Sequence, residues 1–312
     1  MEDNQIEISV KGKWVKAPAV EFEDKFIVLK GTGVKTAQVH DEEWMEDEVS
    51  DPEACVKLLK AQKAGLHPDV FTFTQKLPAT QPKYDYPMEW DSVAVARTTT
   101  FKSWWEDLPQ ETRKNVRRSQ KRDVAIRVVP FGDDLIRGIM SVNDDSPVRQ
   151  RKVNVHYGKS FEQVKRDQSS FLSHCDYIAA YVGEEMIGFL KLVYRGNVAS
   201  LLNIVGKASH YDKRPTNALL SKAVELCEAR GVSHLVYGKF NYGNKADSPL
   251  REFKVRNGFS EILVPRYYVP VTALGAAWIK LGMHRGLLGI LPHRVIIMGV
   301  RARASWYNLS HQ

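Results

Sequence analysis

An α/β protein built on a mixed, mostly antiparallel sheet is what this sequence predicts, on three observations. Alternating apolar runs are punctuated by glycine turns, and amphipathic stretches of helical spacing are interleaved with them. Along residues 177–269 the two kinds follow the order strand, strand, strand, helix, strand, helix, strand. Charged residues at 26% and hydrophobic residues at 43% of the 312 are ordinary values for a folded chain, which excludes a disordered or fibrous class.

The clearest element is a hairpin. Residues 177–182 and 186–194 flank a Gly183-Glu184-Glu185 turn, and both arms carry the apolar content of a sheet. Arg195-Gly196-Asn197 turns the chain again, into a third strand at 198–205. A helix follows at 215–230: Pro215 suits its first position, Leu219, Ala223 and Leu226 form one stripe, and Gly231 stops it. Residues 233–240 are the fourth strand. Ser248 caps a second helix that has Pro249 at its first position and Gly258 at its end, and 262–269 is the closing strand.

Upstream, residues 5–96 read as strand-rich, with a helix over 52–64 and no catalytic motif. Residues 103–122 predict one helix with an apolar start (Trp104, Trp105, Leu108) and a basic second half (Arg113, Lys114, Arg117, Arg118, Lys121, Arg122). Arg113, Arg117 and Lys121 lie four apart and share a face. Like charges on neighbouring turns repel, so local stability does not account for the cluster, and both a solvated face and a contact with RNA fit it. A strand at 125–129 and helices at 134–140 and 161–172 complete this part.

Past residue 272, Leu274, Trp278, Leu281 and Leu288 fall near one helix face with Lys280, His284 and Arg285 beside them, and Pro292 ends the helix. This stretch either docks on the N-terminal part or lies on a membrane interface over 273–291. The expected organisation is a strand-rich subdomain (1–102), an α/β catalytic domain (103–272) and a helical extension (273–312).

The three cysteines, Cys55, Cys175 and Cys227, have no C-x-x-C spacing and cannot all pair, and Cys175 and Cys227, next to or within core elements, read as buried structural thiols. With an acidic start and no uncharged apolar run of eighteen residues, the expectation is a cytoplasmic protein. Walker A, H-E-x-x-H, G-x-G-x-x-G and G-x-S-x-G motifs are absent, and the histidines never take metal-ligand spacing, so no metal is expected. Net charge of +8 favours polyanionic partners.

The element order, the Gly183-Glu184-Glu185-Met186-Ile187-Gly188 turn, the helix ending Ala229-Arg230-Gly231 and the closing stretch from Leu250 through Phe253-Lys254 to Gly258-Phe259 resemble the GCN5-related N-acetyltransferase superfamily over roughly residues 103–270. Trp104, Leu108-Pro109 and the Arg113-Lys114-Asn115-Val116-Arg117-Arg118 run resemble its Fem-type branch, whose members transfer amino acids or other acyl groups onto amines. The resemblance implies an N-acyltransferase that moves an acyl group from an acyl-CoA-type thioester to an amine-bearing acceptor by direct attack. Within the branch, the alternative donor is aminoacyl-tRNA, held by Arg113, Arg117 and Lys121. Outside the enzyme class, the same basic surface suits a non-catalytic module that binds RNA or anionic membrane.

A helix start attracts anions and disfavours cations, yet Lys207, His210, Lys213 and Arg214 gather before Pro215. An anion between them would reconcile the two, so these residues are assigned to the donor's phosphates together with Val205, Thr216 and Asn217. The superfamily's Q/R-x-x-G-x-G/A coenzyme loop corresponds to 212–218 here, where both glycines are missing. The resemblance also implies that strands 202–205 and 236–240 part at the site, leaving backbone donors for an oxyanion. Asn203 and Lys239 are the polar interruptions in them. Tyr242 resembles the tyrosine that protonates the leaving thiolate, and Lys254 matches the branch's Phe-Lys pair, placing an ammonium against developing negative charge; Tyr242, Lys254 and Asn203 are thus the catalytic candidates.

Overall fold

The computed structural model describes residues 5–10, 13–41, 48–62, 66–149, 152–241 and 248–285. Its first part comprises β1 (Gln5–Val10), β2 (Lys13–Phe22), β3 (Lys25–Lys30), β4 (Thr36–Val39), α1 (Pro52–Lys60), β5 (Val70–Thr74) and β6 (Met88–Arg97). Next come α2 (Phe101–Asp107), α3 (Gln110–Lys121), β7 (Ala125–Val129), α4 (Asp133–Asn143), the short strands β8 (Val148–Arg149) and β9 (Lys152–Val153), and α5 (Phe161–Gln168). The remainder is β10 (Cys175–Val182), β11 (Glu185–Arg195), β12 (Val198–Gly206), α6 (Pro215–Ala229), β13 (His234–Lys239), α7 (Pro249–Arg256), β14 (Ser260–Pro270) and α8 (Ala273–Lys280).

Twelve strands form one sheet in the order β1-β2-β3-β4-β5-β14-β6-β13-β12-β11-β10-β7. Only β4/β5 and β12/β13 pair in parallel. The expected hairpin is present, with Ala179 opposite Phe189 across the Gly183 turn, and β12 joins it antiparallel. Ser248 caps α7 by accepting from the Arg251 N–H, as its place before Pro249 implies.

The basic helix is a correction. Instead of one element over 103–122, the chain forms α2 and α3, because Leu108, driven to ψ 144° before Pro109, leaves the helical region. The helix expected over 161–172 likewise ends at Gln168, and Phe171 takes a left-handed φ of 57° before a short 3₁₀ turn. The helix expected over 52–64 ends at Lys60.

Strand β6 comes from the N-terminal stretch yet lies between β13 and β14, with Val95 opposite both Val236 and Ser260. Strands β5 to β1 continue the sheet beyond β14. The sheet curls until its first strands meet α5: Trp14 Nε1 donates to Asp167 at 3.0 Å, and the Arg166 guanidinium lies 4.4 Å from the Trp14 ring and pairs with Glu7. One face is covered by α6 over a core of Ile187, Leu190, Ala199, Leu219 and Val224. On the other, α4 and α5 pack Ile136, Ile139 and Val164 against Tyr177 and Phe189.

Helix α8 docks on β14 and the N-terminal part. Thr272 caps it while donating to Asp69, Gly275 leaves no room for a Cβ against the Asp69 carbonyl, and His284 and Arg285 both reach Glu89. Residues 286–291 of the expected membrane contact lie outside the described residues. Among the described residues, no helix is long and apolar enough to cross a membrane.

Candidate active site

Strands β12 and β13 stay paired for only three residues, Val198 with His234, Ala199 with Leu235 and Ser200 with Val236. Beyond that point β12 follows β11 while β13 follows β6, and they part. Each bends at a bulge. On β12, Leu202 is the extra residue between Asn203, opposite Lys191, and Leu201, opposite Leu192. On β13, the register shifts between Val236 and Lys239 around Gly238, whose φ of 57° suits a residue without a side chain. Among the described residues no strand fills the gap between β12 and β13, so the inner edges of both strands turn backbone polar groups toward it, the arrangement an oxyanion site requires.

Lys254 stands at the β13 lip. It is wholly buried, its Nζ donates to the Lys239 carbonyl at 2.5 Å, and it lies 4.7 Å from the Tyr237 ring centre. Burial lowers its pKa from 10.5 to about 8, so at neutral pH the ammonium form prevails by roughly ten to one. A desolvated, fixed cation acts more strongly on nearby charge than one in water. Tyr242 lies outside the described residues.

Asn203 is on the other lip and the opposite face. Its strand partner Lys191 is also wholly buried and lowered to about 8 by burial. Lys191 Nζ donates to the Gln168 and Ser170 carbonyls, at 2.8 and 2.6 Å, and so fixes the turn that follows α5. Asn203, Leu202 and that turn line a cleft of about 510 Å³ whose far wall is the N-terminal sheet, through Trp14, His40 and Asp41. Sequence reasoning missed this cleft. Its walls come from four separated stretches that only the curl of the sheet unites.

The cationic cluster before α6 divides in two. Lys207 is buried, with Nζ 2.8 Å from Ser141 Oγ and 2.7 Å from Glu185 Oε1, and His210 Nε2 lies 3.3 Å from Glu185 Oε2. The Lys207 hydrogen bond holds the Glu185 carboxyl below its usual range. Val205 packs toward α4 and α5. These three residues hold the turn in place. Lys213, Arg214, Thr216 and Asn217 do gather at the helix start, where Arg214 adopts the left-handed φ of 55° that a glycine would favour. The Asn217 amide donates to Asn257 Oδ1 at 3.0 Å, tying α6 to the end of α7.

Helix α3 packs on α6 and brings Arg122, the residue that caps its C-terminus, to the same place, where it pairs with Asp212. Arg113, Lys114, Arg118 and Lys121 have no ion-pair partner among the described residues, and Arg117 lies 5.6 Å from the Trp105 ring. Burial pushes the Cys55 and Cys227 thiols up to about 12, whereas Cys175, expected to be buried, is only half-buried at the start of β10, where partial desolvation raises its pKa. Among the described residues no three His, Cys, Asp or Glu side chains gather as a metal set.

These features define a mixed-sheet α/β fold parted at its central parallel strands. The solved structures it matches carry that further. FemX is similar over 89% of both chains, with a TM-score of 0.58 at 8% identity. L-PGS from Bacillus licheniformis matches 82% of this chain and 84% of its own, at TM-score 0.52 and 13% identity. The C-terminal DUF2156 domain of an Agrobacterium fabrum protein assigned as a lysylphosphatidylglycerol synthetase matches 86% and 88%, at 0.54 and 14%. No family model matches the chain, and no curated protein matches it by sequence. The likeness is one of fold, and at that level the resemblance to the Fem-type branch holds.

Proposed function

We propose that the chain is an N-acyltransferase that moves an acyl group from an activated donor to an amine across the gap between β12 and β13. The observation that carries this reading is the pair of lips: a buried ammonium, Lys254, on one face and a polar cleft at Asn203 on the other. As the amine attacks, negative charge grows on the carbonyl oxygen, where the parted strand edges and Lys254 stabilise it. The donor's phosphates lie at the start of α6, against Lys213 and Arg214, with an acyl thioester of coenzyme A as the first choice. The left-handed backbone of Arg214 supports this placement, since such sparsely populated conformations cluster at ligand clamps and active sites. A cytoplasmic location is part of the proposal.

Transfer of aminoacyl groups from charged tRNA is the second reading, favoured by the uncompensated basic face of α3 beside the same helix start. A labelled acyl-CoA and a labelled aminoacyl-tRNA, each supplied with a panel of primary amines, separate the two. Amide formed from acyl-CoA, surviving removal of Arg113, Arg117 and Lys121, supports the first. Amide formed only from charged tRNA, with steep salt dependence lost in that triple variant, supports the second. No amide from either donor refutes both.

A further inference from the structure

Acyl transfer needs an unprotonated amine, and at neutral pH an alkylamine is protonated. The cleft holds a group suited to take that proton. His40, just past the end of β4, lines it, its backbone N–H donating to the Phe26 carbonyl at 2.8 Å. Its Nε2 lies 3.3 Å from Asp41 Oδ2, and Asp41 itself takes a left-handed φ of 52°. A carboxylate at Nε2 keeps the proton on that nitrogen and leaves the lone pair on Nδ1, the orienting relation that general-base histidines use. The pair is only partly buried, with 30% of the His40 side chain exposed, so the ring is reachable from the cleft.

The surroundings single out His40. His40 and Asp41 line the same cleft as Asn203, whose strand partner is the buried Lys191. Across the cleft, Lys159 and Asp167 satisfy each other at 2.5 Å, and Trp14 donates to the same carboxylate. His156, the other histidine of the cleft, is held below its usual pKa by burial and by Lys159, and has no carboxylate at ion-pair distance among the described residues. The charged groups that share the cleft with His40 are Asp41 beside it and Lys159, Asp167 and His156 across it.

We propose that His40, oriented by Asp41, is the general base that deprotonates the attacking amine, an inference that rests on the acyl-transfer reading. The acceptor ammonium gives one proton to His40 Nδ1. The freed nitrogen pair forms the C–N bond as the carbonyl π pair moves to oxygen. Collapse of the tetrahedral species breaks the bond to the leaving group, which takes a second proton from the nitrogen. The products are amide, protonated leaving group and an imidazolium that releases its proton to water.

Two measurements on the full chain test it. In H40Q, kcat/KM at pH 7 should fall about 10²- to 10⁴-fold, the range of general-base catalysis, with donor affinity by calorimetry unchanged. The wild-type acid limb should give way to a rise that continues up to about pH 8, where Lys254 gives up its proton, and added imidazole should restore part of the rate. Independently of activity, nitrogen-15 histidine spectra should show His40 protonated at Nε2, with D41N removing that tautomer preference. An active wild type with H40Q within threefold of it and the same acid limb overturns the assignment while sparing acyl transfer. A His40 protonated at Nδ1 and indifferent to D41N overturns it as well. A wild type that forms no amide from either donor removes the reading beneath it.

Discussion

The two faces of the parted strands are assembled in different ways. On the helix side, Lys213, Arg214, Asn217 and Lys254 come from two helices and the turn before one of them, and each stands beside a capping or turn signal that local sequence displays. On the cleft side, Trp14, His40, Asp41, Gln168 and Asn203 come from stretches up to about 190 residues apart and carry no local signature. Their only common cause is the curl of a twelve-stranded sheet that brings β1 and β2 back to α5. The proposed donor side is thus written in helix termini, while the proposed acceptor side is written in topology.

Removing the helix-side charge is the strongest way to break this comparison. Lys254→Met keeps the length and deletes the ammonium, so turnover should fall about 10²- to 10³-fold, as when an oxyanion-hole donor is lost. Donor affinity should hold, and the wild-type decline in turnover above pH about 8, where Lys254 gives up its proton, should vanish from the variant. Equal loss in donor binding and turnover would make Lys254 a ground-state contact instead.

A smaller effect sharpens the cleft side. Lys191 has a folded pKa of about 8 against an ordinary 10.5, so between these values the unfolded chain binds more protons and the lysine's contribution to stability rises with pH. Its burial cost is fully present below about pH 8 and disappears toward pH 10.5. Cys55 and Cys227, raised to about 12 by burial, act in the opposite sense once unfolded thiols ionise near pH 9. The difference between wild type and Lys191→Met isolates the lysine: from pH 7.5 to 9.5, denaturant midpoints of the wild type should gain on those of the variant. Parallel curves would place Lys191 in a wetter setting than its full burial implies.

Much of the fold was legible because local signals agree with the global order. The Gly183 hairpin, the Ser248-Pro249 cap and the Gly231 stop each decided an element. The break at Pro109 was readable too, since a residue before proline avoids the helical region, but the continuous run of basic residues masked it. The place of β6 was not legible: pairing Val95 with Ser260 is a choice among distant strands of similar apolar content. Nor was the fate of the cations before α6, because Glu185, which holds both Lys207 and His210, is 22 residues before the first of them and meets them only once β11 and β12 align.

The central claim is that one gap has a donor face and an acceptor face, and steady-state kinetics with both substrates varied tests it most directly. Arg214→Glu should raise the donor KM about tenfold, equivalent to 1.4 kcal/mol, and leave the acceptor KM unchanged, whereas Asn203→Ala should raise the acceptor KM and leave the donor's unchanged. Both variants altering the same substrate's KM, or neither altering any, would contradict the account.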